Sequence, residues 1–245
     1  MRYLLILLLM FCAVPLSGAA DIQVAVASNF AETARQLAVA FEQQEGHRLG
    51  LSFGSTGKQY AQIHHGAPFH VWFAADARRP LLLEQEGRAI PGSRFTYALG
   101  RLVLWSPRPG LVDDRGEILA QGDFRHLALA NPRLAPYGLA AKQALEKRGL
   151  WQQLQPRLVR GENIGQTFQF VKSGNAELGF VAASQVLRRD RPAPGSFWLL
   201  PAELHAPIEQ QALLLSEDPV ARAFVDFVRS EKGRSIILAN GYEVP

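Results

Sequence analysis

The sequence predicts an α/β fold arranged as two lobes. Two observations carry this. Short apolar runs of strand character alternate with helical periodicity along the chain from residue 21 onward. Two long extended stretches, near residues 98–103 and 204–211, break that alternation and are long enough to carry the chain from one lobe to the other. The expected division is 21–100 for the first part of lobe I, 101–206 for lobe II and 207–245 for the return to lobe I, with a two-stranded hinge between them.

Residues 1–20 stand apart. Arg2 gives a positive start, Leu4 to Val14 an apolar run, and Ser17-Gly18-Ala19-Ala20 a small-residue cleavage region. This reads as a secretory signal peptide cut after Ala20, and the run is short for a membrane span of about 20 residues. Cys12, the one cysteine, lies inside it, so the exported chain is expected to have neither a disulfide nor a thiolate metal site. Losing Arg2 lowers the formal charge from +4 to +3, and the remaining arginines are scattered. A nucleic-acid surface would need a dense basic stripe with aromatic platforms.

The first strand is Ile22 to Ala27, and a helix follows from about Phe30 to Glu45 with Phe30, Ala34, Leu37, Ala38 and Phe41 on one face. Leu49 to Phe53 is a second strand, running through Gly54-Ser55-Thr56-Gly57 into a helix. His70 to Ala74 is a strand and Asp76 to about Gly87 a helix. Tyr97 to Trp105 is an extended run broken by Gly100-Arg101, and His126 to Ala130 is a strand. The stretch 131–138 reads as a loop before a helix at Leu139 to Arg148. Leu158-Val159 precedes a helix from Ile164 to Ser173, and Glu177 to Ala182 precedes one from about Ser184. Leu204 to Leu215 is the return crossing, and Pro219 to Arg229 and Lys232 to Ala239 close the chain.

Four of these strand-to-helix turns share one design. Ser28-Asn29, Ser55-Thr56, the loop bearing Tyr137, and Gly161-Glu162-Asn163 before Ile164 each put hydroxyls or free main-chain N–H groups at the positive end of a helix. Such an end suits an anion. Each also has a plainer reading: Ser28 and Asn29 as helix caps, Tyr137 as a packed aromatic, the Ile164 side chain as core. Four turns, two from each lobe, could converge on one cleft.

Ala25-Val26-Ala27-Ser28-Asn29-Phe30, Phe53-Gly54-Ser55-Thr56-Gly57, Gly66-Ala67-Pro68, Ala75-Asp76 and Asn131-Pro132…Ala135-Pro136-Tyr137-Gly138 follow one another in the chain. Gly179-Phe180-Val181-Ala182-Ala183-Ser184 and Pro207-Ile208-Glu209-Gln210 complete the series. In residues and order this resembles the periplasmic molybdate-binding proteins of ABC importers, over nearly all of the chain after the leader. The resemblance implies a two-lobed type II periplasmic-binding fold that closes on a tetrahedral dianion. The ligand would be molybdate, with tungstate, and no cofactor or catalysis is implied. The partners would be an inner-membrane permease and its cytoplasmic ATPase, and the protein a periplasmic monomer. Matched by motif, Ser28, Asn29, Ser55, Tyr137 and Ile164 would hold the oxyanion, Ile164 through its main chain. Molybdenum would be bound only as that oxyanion. Two positions depart from the pattern. Ala182 stands where some members carry a contact tyrosine, which leaves Tyr137 to supply the phenol, and His70 stands where members usually carry an acid.

Sulfate or another oxyanion is the nearest alternative ligand. A hydrolase using Ser55 fits less well: Phe53 replaces the first glycine of G-x-S-x-G and no His or Asp partner is placed. Gly54 to Lys58 is no phosphate-binding loop, because Ser52 and Gln59 stand at two of its required positions. His64-His65…His70 reads as an exposed helix end rather than a metal site.

Overall fold

In the computed structural model, residues 20–187 and 192–245 are described; the leader, its Cys12 and the arginines at 188, 189 and 191 lie outside them. The first elements are β1 (Ile22–Ala27), a 3-10 turn (Ser28–Phe30), α1 (Ala31–Glu45), β2 (Leu49–Gly54), α2 (Thr56–His64), β3 (Val71–Phe73), α3 (Arg78–Gln85) and β4 (Phe95–Gly100). Then come β5 (Leu102–Ser106), α4 (Ile118–Gln121), β6 (Leu127–Ala130), α5 (Pro136–Lys147), α6 (Trp151–Leu154), β7 (Leu158–Gly161), α7 (Ile164–Lys172), β8 (Leu178–Ala182), α8 (Ala183–Val186) and β9 (Ser196–Leu199). The chain closes with β10 (Ile208–Leu214), α9 (Pro219–Arg229) and α10 (Glu231–Ala239).

The strands form two five-stranded sheets, ordered β2-β1-β3-β10-β4 and β7-β6-β8-β5-β9. Each sheet has three parallel strands and then one strand inserted antiparallel to its neighbours, β10 in the first and β5 in the second. In both cases the antiparallel strand is the one that has just arrived from the other sheet. The apolar run from Tyr97 is therefore two strands in different sheets, with Arg101 alone between them.

Side-chain alternation explains why both sheets are covered on both faces. In the first sheet Ile22, Val24 and Val26 point to Phe30, Leu37, Phe41 and Phe224, while Ala25, Trp72 and Leu213 pack with Ile63 and Leu83. In the second, Leu102, Leu104, Leu127 and Leu129 meet the alanines of α5, while Val103, Trp105 and Val181 meet Val171 and Val186. Most boundaries lie within two residues of expectation. Helix α5 begins three residues early, because Pro136 takes its first helical position, where a missing N–H costs nothing. The short α4, α6 and β9 carry too few residues for a periodic signal and are additions to the expected elements.

Candidate functional site: a seam of helix starts

Strands β1, β2, β6 and β7 all end at the line where the two sheets face each other, and a helix or 3-10 turn starts beyond each. The crevice beyond the carboxyl ends of parallel strands is the usual ligand position in such sheets. Contacts cross this seam directly. The Gly57 N–H donates to the Leu134 carbonyl at 2.8 Å, the Gly165 N–H donates to Ser28 Oγ at 3.1 Å, and Lys58 Nζ lies 2.8 Å from Glu162. Arg79 donates to the Arg133 carbonyl at 3.0 Å, and Ser184 Oγ donates to the Tyr242 hydroxyl at 2.9 Å. Two grooves run along the seam. One, of about 630 Å³, is lined by Ser28, Asn163 and Gln185 among others, and the second, of about 450 Å³, by Asp76, Arg133 and Pro136 among others. Ser55, Tyr137 and Ile164 line neither.

Each expected residue has a distinct situation. Ser28 and Asn29 do not cap a helix. They sit in the 3-10 turn, and no side chain caps α1. The Ser28 hydroxyl reaches across the seam to Gly165, whereas the Asn29 carboxamide turns inward. Its nitrogen donates to Gln210 Oε1 at 2.7 Å and to the Tyr242 hydroxyl at 3.0 Å. Both amide protons are thereby used, and only the main chain of Asn29 is left to face a ligand.

Ser55 is the N-cap of α2 in extended conformation, yet it makes no capping bond. It is 2% exposed and its Oγ has no hydrogen-bond partner. Next to it, Thr56 is equally buried but satisfied, accepting the Ala75 N–H at 3.0 Å. As first residues of their helices, Thr56 and Ile164 have N–H groups without an intrahelical acceptor. Asn163 caps α7 by accepting the Gln166 N–H at 2.9 Å, which leaves the Ile164 amide clear, while the Ile164 side chain is buried in the core of the second sheet.

Tyr137 is buried on the first turn of α5. Its hydroxyl oxygen accepts from Gln210 Nε2 at 3.4 Å, and its own proton goes to no acceptor among the described residues. Gly100 makes room for it: a Cβ there would lie 2.4 Å from the Tyr137 hydroxyl. Burial pushes the Tyr137 and Tyr97 phenols well above their ordinary value and Tyr242 up to about 12, so all three stay neutral donors at physiological pH. Nothing local in the sequence marks Tyr242, and Gln210 stands out only as the end of the Pro207-Ile208-Glu209-Gln210 motif. Their partners lie up to 213 positions away, and such pairings leave no local pattern.

The buried polar groups described are Asn, Gln, Ser, Thr and His205; no carboxylate, ammonium or guanidinium is among them. This arrangement can surround an acceptor with neutral donors, and among the described residues no imidazole or carboxylate bonds Ser55. Among the described residues no group of three or more His, Cys, Asp or Glu is placed to hold a metal ion. His64 pairs with Glu86, Nδ1 to Oε2 3.0 Å. His70 accepts the Gln23 main-chain N–H on Nδ1 at 3.0 Å, a bond that a carboxylate at the same position could also accept.

Residues 22–243 match the family model described as bacterial extracellular solute-binding protein. The chain belongs to that family. It is 48% identical to the molybdate-binding protein ModA of Azotobacter vinelandii over 237 residues, covering 96% of this chain and 93% of the relative. It is 44% identical to ModA of Rhodobacter capsulatus, covering 96% and 92%. The solved structure of the Azotobacter vinelandii periplasmic molybdate-binding protein superposes with a TM-score of 0.89 at 45% identity, covering 92% of this chain and all of that one. The two-sheet type II periplasmic-binding architecture implied by the resemblance is thus the architecture of this solute-binding protein.

Proposed function

We propose that this chain is an exported receptor that captures molybdate, and tungstate with it, between its two sheets and delivers it to the permease of an ABC importer driven by a cytoplasmic ATPase. On this reading residues 1–20 are a leader removed on export to the periplasm. The mature protein works as a monomer with no resident cofactor and no catalysis. Ser28 through its hydroxyl, Asn29 through its main chain, Ser55 and Tyr137 through their hydroxyls, and Ile164 through its amide are the proposed contacts. The two passages of the chain between the sheets, at Arg101 and between β9 and β10, are the proposed hinge.

The observation that carries this reading is Ser55, a buried hydroxyl without a partner at the start of a nine-residue helix. Leaving it so costs about 1–3 kcal/mol. A tetrahedral oxyanion offers an acceptor at every corner and gains from the helix's positive end. Charge-assisted bonds contribute about 1.5–3 kcal/mol each, so a handful supports tight binding after ordering costs. Sulfate carries no proton but is smaller, and would leave several donors too far away. Phosphate near neutral pH carries a proton, which an assigned hydroxyl could accept only by giving up its own donation to the anion. Calorimetric titration with the four anions tests the reading. Molybdate and tungstate should bind alike, sulfate at least about 100-fold more weakly and phosphate not measurably. A preference for sulfate or phosphate overturns it.

A further inference from the structure

Gln210 is wholly buried on β10, at a register shift between Gln210 and Gln211. Such a bulge re-aims side chains, and both glutamines are buried in succession. The direction of each proton around Gln210 follows from which groups can only accept. The Asn29 carbonyl is such a group, and the Tyr242 hydroxyl, 2.9 Å away, donates to it. The Tyr242 oxygen is then left to accept from Ser184 and from the Asn29 amide nitrogen. That same nitrogen lies 2.7 Å from Gln210, which must present its carbonyl oxygen there; the Tyr97 hydroxyl shares its one proton between that oxygen at 3.1 Å and the Ala74 carbonyl at 3.2 Å. The NH₂ end of Gln210 is left facing Tyr137. An amide NH₂ cannot accept, so the Tyr137 oxygen accepts and its proton is turned away from Gln210.

We propose that Gln210 is the positioning residue that sets anion specificity, because it holds the Tyr137 phenol as an obligate donor. This rests on the oxyanion reading above and goes beyond it. Helix amides refuse a protonated corner of an anion by nature. A phenol could turn and accept one, and Gln210 prevents that turn. The network also links elements packed on both sheets, Tyr137 and Ser184 from one and Asn29, Gln210 and Tyr242 from the other, so the donor is set as the seam closes.

The test replaces Gln210→Glu and Gln210→Met and measures molybdate and inorganic phosphate binding by calorimetry between about pH 6 and 8, with melting curves to establish folding. The titratable groups facing Gln210 are Tyr97 from β4, Tyr137 from α5 and Tyr242 from the C-terminal segment, none of which titrates in that range. Asp76, near Tyr97, is ion-paired with Arg79; Arg94 pairs with Glu84 and donates to Gln211, and Glu209, next in the chain, accepts from Gln211 and Thr96 rather than from Gln210. Wild-type affinity should therefore be flat. In Gln210→Glu at about pH 8 the carboxylate accepts the phenol's hydrogen bond in place of the anion and repels the dianion, weakening molybdate about 100-fold or more. Toward pH 6 the protonated carboxyl donates to Tyr137 as the amide did, and affinity should recover about tenfold. Gln210→Met frees the phenol to accept, so the molybdate-to-phosphate affinity ratio should fall about tenfold. A folded Gln210→Glu with a wild-type pH profile, or a Gln210→Met with an unchanged ratio, overturns the inference. If Gln210→Glu does not fold, Gln210→Met decides alone. If wild type fails to bind molybdate, the receptor reading itself has failed, and this inference with it.

Discussion

The proposed donors of the first sheet and those of the second reach the seam by different means. On the first sheet, Ser28 and Ser55 are short hydroxyls placed at strand ends, and Ser55 is supported by nothing. On the second, Tyr137 and the Ile164 amide are held by other groups: Gln210 beneath the phenol and the Asn163 cap beside the amide. Ser55 is poised and unsatisfied, Ser28 is engaged as an acceptor from the Gly165 N–H, and the second set is braced. Removing a poised donor should therefore affect the ligand alone, whereas removing a braced one should also orphan its support.

Tyr137→Phe is the sharpest way to break this contrast. It deletes a donor and strands the Gln210 NH₂ in a buried site. The expected outcome is molybdate binding weakened by about 100- to 1000-fold and a lower melting temperature without ligand. Ser55→Ala should weaken binding about 10- to 100-fold, yet leave the unliganded melting temperature unchanged or slightly higher, because an unpaired buried hydroxyl has gone. If Ser55→Ala instead destabilises the unliganded protein, Ser55 is a structural residue and the contrast is void.

The phenols provide a test without mutation. Burial raises the folded values of Tyr97, Tyr137 and Tyr242, the last from about 10 to about 12. The stabilising term is present in full below the unfolded value and is lost as pH rises through the folded one. Stability should thus fall between about pH 10 and 12, while molybdate affinity stays level from about pH 6.5 to 8.5. An affinity that slopes across neutrality would mean that a titrating group touches the anion. The smallest effect is expected from Lys58→Ala. The Lys58–Glu162 pair crosses the seam but both side chains are about half exposed, so it should change affinity no more than about threefold.

Much of this was legible from sequence for a physical reason. Period-two strands, helix faces and strand–hydroxyl–helix turns are local patterns, and Ser28 and Ser55 belong to such turns. What Asn29 does was not legible. As a residue type it suits a cap, and only partners at Gln210 and Tyr242 turn it inward. Tyr137 read as a loop residue because Pro136 beside it looks like a helix breaker, when it is a helix starter. The division of 97–105 into two strands was half visible in Gly100-Arg101, since Gly100 yields space to a side chain 37 positions later.

Gly57 has a consequence of a different kind. Its N–H meets the Leu134 carbonyl at 2.8 Å, and a Cβ at position 57 would come within 3.0 Å of the Leu134 Cα and oxygen. At this point the approach across the seam is backbone against backbone, with no side chain as a spacer. Both Leu134 atoms in this contact, its carbonyl oxygen and its Cα, are main-chain atoms that any residue would carry. Only position 57 itself can widen the gap, and a single methyl there would push the loop back by a few tenths of an ångström. The spacing of helix α2 from the loop at Leu134 is in this sense set by one hydrogen atom at Gly57.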